Sequence, residues 1–221
     1  MKEFSVFDII GPRMVGPSSS HTAGAVRIGL VAHRLLCGEH VKSADIELFG
    51  SFAETGFGHG TDRALLAGIL GIEPDDARVR HSVLLAKSEG VEFSVRKNDL
   101  EPDHPNTTRI HVVSETGREF TLVGASVGGG NIEITEINGM EVSFTGEYPT
   151  LIVFYNDEPG VISAVTAVLA EKEYNVAFMK VFRNAKRMDA CMVIESDSTV
   201  SRDVIGLIRE RVKDIKEICV V

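Results

Sequence analysis

Thr150-Leu151-Ile152-Val153-Phe154-Tyr155, followed at once by Asn156-Asp157-Glu158-Pro159-Gly160, decides the fold of the C-terminal part of the chain. The first stretch reads as a short strand. The turn after it opens a helix in which Val161, Val165, Val168 and Leu169 recur at helical spacing. Val176–Phe182 predicts a second strand, 183–187 a polar reversal and Ala190–Ile194 a third strand. Ser201 is expected to N-cap a helix with Val204, Ile205, Ile208 and Val212 on one face, and Ile218–Val221 supplies the last strand. The order β-α-β-β-α-β in about 70 residues is the split βαβ, ferredoxin-like plan.

Working outward, a seam near Gly146–Pro149 divides the chain into domains 1–146 and 149–221, an α+β organisation overall. The first domain opens through Gly11-Pro12-Arg13-Met14-Val15, with Arg13 expected in solvent. The polar run Gly16-Pro17-Ser18-Ser19-Ser20-His21-Thr22-Ala23-Gly24 follows, then a helix with Ile28, Val31, Ala32, Leu35 and Leu36 on its apolar face. Ala44–Phe49 predicts a strand. Thr55-Gly56-Phe57-Gly58-His59-Gly60-Thr61-Asp62 reads as a loop leading into a helix from about Arg63 to Leu70. Val91–Val95, Arg109–Val113 and Phe120–Val123 read as strands, and Asn138-Gly139 between alternating segments signals a hairpin. The pattern does not fix the strand order of this domain.

Composition narrows the function classes. The 221 residues are 43% hydrophobic and 25% charged, with a net charge of −9, which excludes a disordered chain and argues against binding to nucleic-acid phosphates. No apolar run approaches the roughly 20 residues of a membrane helix, and Met1–Lys2–Glu3 begins no secretory segment, so a cytoplasmic protein is expected. Cys37, Cys191 and Cys219 are scattered and read as buried thiols; they make no evident ligand set for zinc or an iron–sulfur cluster. Phosphate-binding, dinucleotide and nucleophile-elbow motifs are absent.

Two segments share one physical design. His21 sits among small hydroxyl residues just before a helix; His59 sits between glycines, with Thr61 and Asp62 starting the next. A helix N-terminus attracts carboxylate or phosphate, glycine lets backbone approach a ligand, and imidazole exchanges protons near neutral pH. If the fold joins the two loops, they make a small anion pocket with two imidazoles, suited to a carboxylate metabolite. Plain N-caps and turns fit the same residues. His33, His40 and His81 read as packing or surface residues and His111 as a strand residue. His104 lies in a Pro-containing loop that lines a site or merely turns the chain. Gly128-Gly129-Gly130 fits either close approach to a ligand or partner chain, or a bulge.

Ser18-Ser19-Ser20-His21-Thr22 and Gly58-His59-Gly60-Thr61-Asp62, together with His104-Pro105-Asn106-Thr107 and Gly128-Gly129-Gly130, resemble the β chain of bacterial iron–sulfur L-serine dehydratase. The first domain thereby resembles an allosteric-substrate-binding fold shared with some phosphoglycerate dehydrogenases, and 149–221 resembles an ACT domain. The resemblance implies a lyase that converts L-serine to pyruvate and ammonia with a [4Fe–4S] cluster whose cysteine ligands belong mainly to a separate α chain. It implies that His21 and His59 face that active site as acid, base or orienting groups, with Ser19, Ser20, Thr22, Thr61 and Asp62 shaping the loops around them. In the ACT-like part, Asn156, Asp157, Gly160 and Asn175 are implied effector contacts. Cys219 is expected as a buried strand residue. Exposed sheet edges in so small a domain favour pairing with a second copy through the ACT-like or the first domain. The rival reading is a free-standing serine-sensing module that uses the same loops without chemistry.

Overall fold

The computed structural model describes residues 13–183 and 188–221. The Gly11-Pro12 opening and the expected reversal beyond Arg183 lie outside the described residues. The chain divides into two compact units, one ending at Gly139 and one running from Met140 to Val221.

In the first unit a π-helical turn, Ser19–Gly24, runs directly into α1 (Ala25–Leu35). Strand β1 (Val41–Leu48) leads to α2 (Gly50–His59), α3 (Thr61–Ile69) and α4 (Ser82–Ser88), and then to β2 (Glu92–Lys97). Strands β3 (Thr107–Ser114), β4 (Glu119–Gly128) and β5 (Asn131–Ile137) follow. The sheet order is β2-β1-β3-β4-β5, with β1 and β2 parallel and the other pairs antiparallel. This mixed order is set by the helices between β1 and β2, because a parallel pair needs a long crossover. Ile28, Val31, Ala32, Leu35 and Leu36 are all buried, as the helical spacing predicts. Each fully buried Leu or Ile contributes roughly 1.5–3 kcal/mol.

Helices α1 and α3 cross backbone to backbone at Gly29 and Gly68. A Cβ at Gly68 would stand 2.0 Å from the Val26 carbonyl oxygen, and one at Gly29 would stand 2.3 Å from that of Leu65. The crossing fixes where the turn before α1 and the start of α3 lie.

Three expectations change in this unit. Residues 55–59 are helix rather than loop: Gly56 is buried, and a Cβ there would press on the Thr61 side chain at 3.2 Å, so its small size serves packing. Helix α3 starts at Thr61, not near Arg63, because Gly60 at φ 76° breaks the chain direction between the two helices. Cys37 is exposed and left-handed (φ 54°) just past the end of α1 instead of buried. Arg13 is exposed as expected and reaches Asp75 at 3.9 Å. His33 bonds the Ile69 carbonyl oxygen at 2.9 Å, and His111 lies 3.3 Å from Glu119.

The second unit contains β6 (Met140–Phe144), β7 (Thr150–Asn156), α5 (Val161–Glu171), β8 (Val176–Arg183), β9 (Asp189–Ser196), α6 (Arg202–Arg211) and β10 (Ile215–Val220). Its four-stranded antiparallel sheet has the order β10-β7-β9-β8, so the β-α-β-β-α-β plan is present with β9 inserted between β7 and β8. Leu151, Val153, Tyr155, Met192, Ile194 and Ile218 pack against Val165, Val168, Leu169, Val204 and Ile208 of the helices. Cys219 is buried in β10. Ser201 occupies the N-cap position of α6, but its side chain makes no capping bond, and its backbone N–H donates to the Tyr174 hydroxyl at 3.1 Å. Among the described residues no helix is long and apolar enough to cross a membrane.

Candidate active site

The π-helical turn is capped by Ser18, whose hydroxyl oxygen accepts the His21 N–H at 3.1 Å and whose carbonyl accepts the Thr22 N–H at 2.8 Å. The extra residue of such a turn re-aims side chains, and here it turns the His21 ring toward α2. The ring meets fully buried Phe52 edge-on, with centroids 5.2 Å apart. It meets His59, 38 positions away in the chain, at 5.0 Å between centroids. The two predicted loops therefore do converge.

His59 is the last residue of α2, not part of a helix N-terminus. Its Nδ1 donates to the Thr55 carbonyl oxygen at 3.1 Å. His21 Nε2 lies 3.1 Å from the Thr55 hydroxyl and 3.5 Å from that of Ser51. Burial holds the His21 imidazole below its ordinary pKa of 6.5; the nearby His59 adds to this, and a hydrogen bond to the Ser51 backbone opposes it. Two rings this close disfavour joint protonation.

Ser51 and Thr55 were missed by the sequence reading. Their signal is the spacing Ser51–Thr55–His59, four residues apart, which makes one stripe on a helix. Reading 55–62 as a loop hid that stripe.

The other predicted residues divide clearly. Ser19 and Ser20 are half-buried on the turn that carries His21. Thr22 (3% exposed) and Thr61 (0%) are buried, and neither hydroxyl has a hydrogen-bonding partner among the described residues. Thr22 packs where a Cβ on Gly16 would stand, and Thr61 packs against Gly56. Both act as wedges behind the histidine segments. Asp62 is half-buried in the first turn of α3, with Oδ1 likewise unpartnered among the described residues.

The His104-Pro105-Asn106-Thr107 segment supports the site from behind. The Pro105 carbonyl accepts the Phe52 N–H at 3.4 Å, and that of Thr107 accepts the Phe49 N–H at 3.0 Å. His104 turns the chain: its Nδ1 accepts the Asn106 N–H at 3.2 Å, and its carbonyl accepts the Thr107 hydroxyl at 2.6 Å. The Asn106 carbonyl accepts the Ser126 N–H at 3.0 Å, and Ser126 sits where a Cβ on Gly24 would clash at 2.1 Å. Gly128, Gly129 and Gly130 all have positive φ and form the β4–β5 turn beside a bulge, with the Gly130 carbonyl accepting from Arg27 at 2.8 Å. Only glycine takes three such φ angles in succession without strain.

In the second unit, Asn156, Asp157 and Gly160 stand at one end of the sheet, where Asn156 pairs with Asp189. Asn175 stands before β8 at the other end, where Val176 pairs with Ser196, about 20 Å away at the rise of a strand. Asp157 is ion-paired with Arg183 at 3.2 Å, and Asn175 donates to Asp197 at 2.7 Å. The unit does not bring these four residues together within one copy of the chain.

Comparison with known proteins follows the first unit and extends beyond it. The serine dehydratase beta chain family matches residues 5–136. The probable L-serine dehydratase, beta chain, of Bacillus subtilis is 45% identical over 205 residues, covering 93% of this chain and 92% of that one. The L-serine dehydratase, beta chain, of Peptoniphilus asaccharolyticus is 40% identical over 205 residues, 92% of each. The D-3-phosphoglycerate dehydrogenase of Methanocaldococcus jannaschii is 30% identical over 160 residues, 72% of this chain and 30% of that protein.

Proposed function

We propose, for a chain that belongs to the serine dehydratase beta chain family, that it is the β subunit of an L-serine dehydratase and brings its two imidazoles to a substrate held jointly with an α subunit. The observation that carries the reading is the His21–His59 pair, two proton-exchanging rings 5.0 Å apart with one depressed pKa. Carboxylate binding alone needs N–H groups and hydroxyls, whereas elimination of water from serine needs a base and an acid.

In this reading the serine carboxylate lies near Ser19 and Ser20, where the positive end of the Ser19–Gly24 turn favours an anion. A bare imidazole nitrogen takes the Cα proton. The electron pair of that C–H bond forms the Cα–Cβ double bond as the β-hydroxyl leaves, protonated, as water. The aminoacrylate product tautomerises to the imine, and water converts it to pyruvate and ammonia. Thr22 and Thr61 hold the two segments in place, and Asp62 stands beside them.

The residues of this chain do not fit a [4Fe–4S] cluster of their own. Burial pushes the Cys191 thiol up to about 12, far from the thiolate a cluster needs, and the two remaining cysteines, Cys37 and Cys219, are too few to hold one. The proposal therefore assigns cluster ligation to the α subunit. The ACT-like reading of 149–221, with an effector and a second copy as its partners, belongs to the same proposal.

The test is anaerobic co-expression with a candidate α chain and a pyruvate assay with L-serine. Turnover is expected only when both chains are present. The acid limb of kcat/KM, which reports groups of the free enzyme, is expected below pH 6.5, because burial keeps His21 bare as the pH falls through its ordinary pKa. Serine binding without turnover in the assembled complex would favour the sensing module instead.

A further inference from the structure

Thr55 touches both imidazoles, and the proton count of its contacts is restrictive. Its hydroxyl has one hydrogen, donated to the Ser51 carbonyl at 2.9 Å, since a carbonyl only accepts. Toward His21 Nε2, at 3.1 Å, the same oxygen then offers only a lone pair, so Nε2 of His21 carries the ring hydrogen. One turn further along α2, His59 Nδ1 faces the Thr55 carbonyl at 3.1 Å. That oxygen again only accepts, so on His59 the hydrogen is on Nδ1. Neutral imidazole has one N–H, which leaves Nδ1 of His21 and Nε2 of His59 bare. The Ser51 backbone also hydrogen-bonds the His21 ring, and its carbonyl likewise only accepts.

We propose that Thr55 is a positioning residue that sets opposite tautomers on the two histidines, so that Nδ1 of His21 and Nε2 of His59 are the atoms that handle protons in the site. The inference rests on the reading that these rings face the substrate, and it deepens that reading by naming which nitrogens do so. Thr55 does this with two different groups. Its backbone carbonyl fixes His59 and is indifferent to the side chain; its hydroxyl fixes His21 and is open to substitution.

Nitrogen-15 NMR of the ring nitrogens in the full 221-residue chain, at a pH where both rings are neutral, reads the tautomers directly. His21 is expected to show a protonated Nε2 and a bare Nδ1, and His59 the reverse. The His59 result is diagnostic because an unconstrained imidazole prefers its hydrogen on Nε2. Thr55→Val keeps the shape and removes the lone pair. The titration midpoint of His21 then falls, because the lost bond is stronger to imidazolium than to neutral imidazole. Thr55→Ser restores the wild-type midpoint, and His59, the other imidazole facing His21, keeps its tautomer in both variants. A His59 protonated on Nε2, or a Thr55→Val chain whose His21 titrates as in wild type, would overturn the inference. No partner chain is needed for this readout. Normal serine turnover with the wrong tautomers defeats only this inference; correct tautomers without turnover in the assembled enzyme defeat only the functional reading.

Discussion

His21→Ala and His59→Ala, introduced one at a time into the assembled two-chain enzyme, are each expected to lower pyruvate formation by about 10²–10⁴-fold, the usual contribution of a positioned acid or base. Assembly should be unaffected, because His59 is exposed and His21 half-buried within a turn capped by Ser18. Removing both should cost little more than removing one, since rings that act as a unit are not additive. On the proposed mechanism, in which the rings move protons and the carboxylate lies near Ser19 and Ser20, the loss should fall mainly on kcat. If both variants turn over serine normally and only its feedback response changes, the pair is a sensor and the dehydratase mechanism is wrong.

Gly68→Ala is expected to be the most damaging single-methyl change to the fold. A Cβ there would stand 2.0 Å from the Val26 oxygen, 2.7 Å from the Leu30 nitrogen and 2.8 Å from the Gly29 Cα, all backbone atoms without rotamer freedom. Helices α1 and α3 must therefore separate by about an ångström or more. Overpacking of this kind costs about 3 kcal/mol, roughly 6–12 °C in Tm for a chain of this size. The separation also moves the turn carrying His21 away from the start of α3, so activity should fall with stability. Gly206→Ala on α6, with nothing within 4 Å of the new methyl, is the control and should gain about 1 kcal/mol from helix propensity. Thermal melts of the three chains decide the matter: a Gly68→Ala chain that melts with wild type would mean the helices do not cross at backbone contact.

The second unit was legible because its information is local. Thr150–Tyr155 and Ala190–Ile194 are short apolar runs bounded by turn residues, and Val165, Val168 and Leu169 repeat at the helical period. Such patterns report their element whatever lies beside it. The helix over 50–59 was not legible, because Gly56 and Gly58 lower helix propensity and carry the signature of a loop. What makes it a helix is non-local: Phe52 buried in the core, Gly56 against Thr61, and the Pro105 carbonyl at its first turn. The strand order of the first unit was hidden for the same reason, since pairing partners as distant as Ser43 and Glu92 leave no mark at either position.

By itself the sequence determined which chemistry is available: two histidines among hydroxyls and glycines, no clustered cysteines, a net charge of −9, and a β-α-β-β-α-β pattern in the last 70 or so residues. Only the tertiary structure decided that the two rings lie 5.0 Å apart, that His59 ends a helix instead of opening one, and that Thr55 joins them. Residue type fixes what a side chain can donate, accept or bury. Which partner it meets depends on contacts between segments far apart in the chain, and those come from packing the whole unit at once.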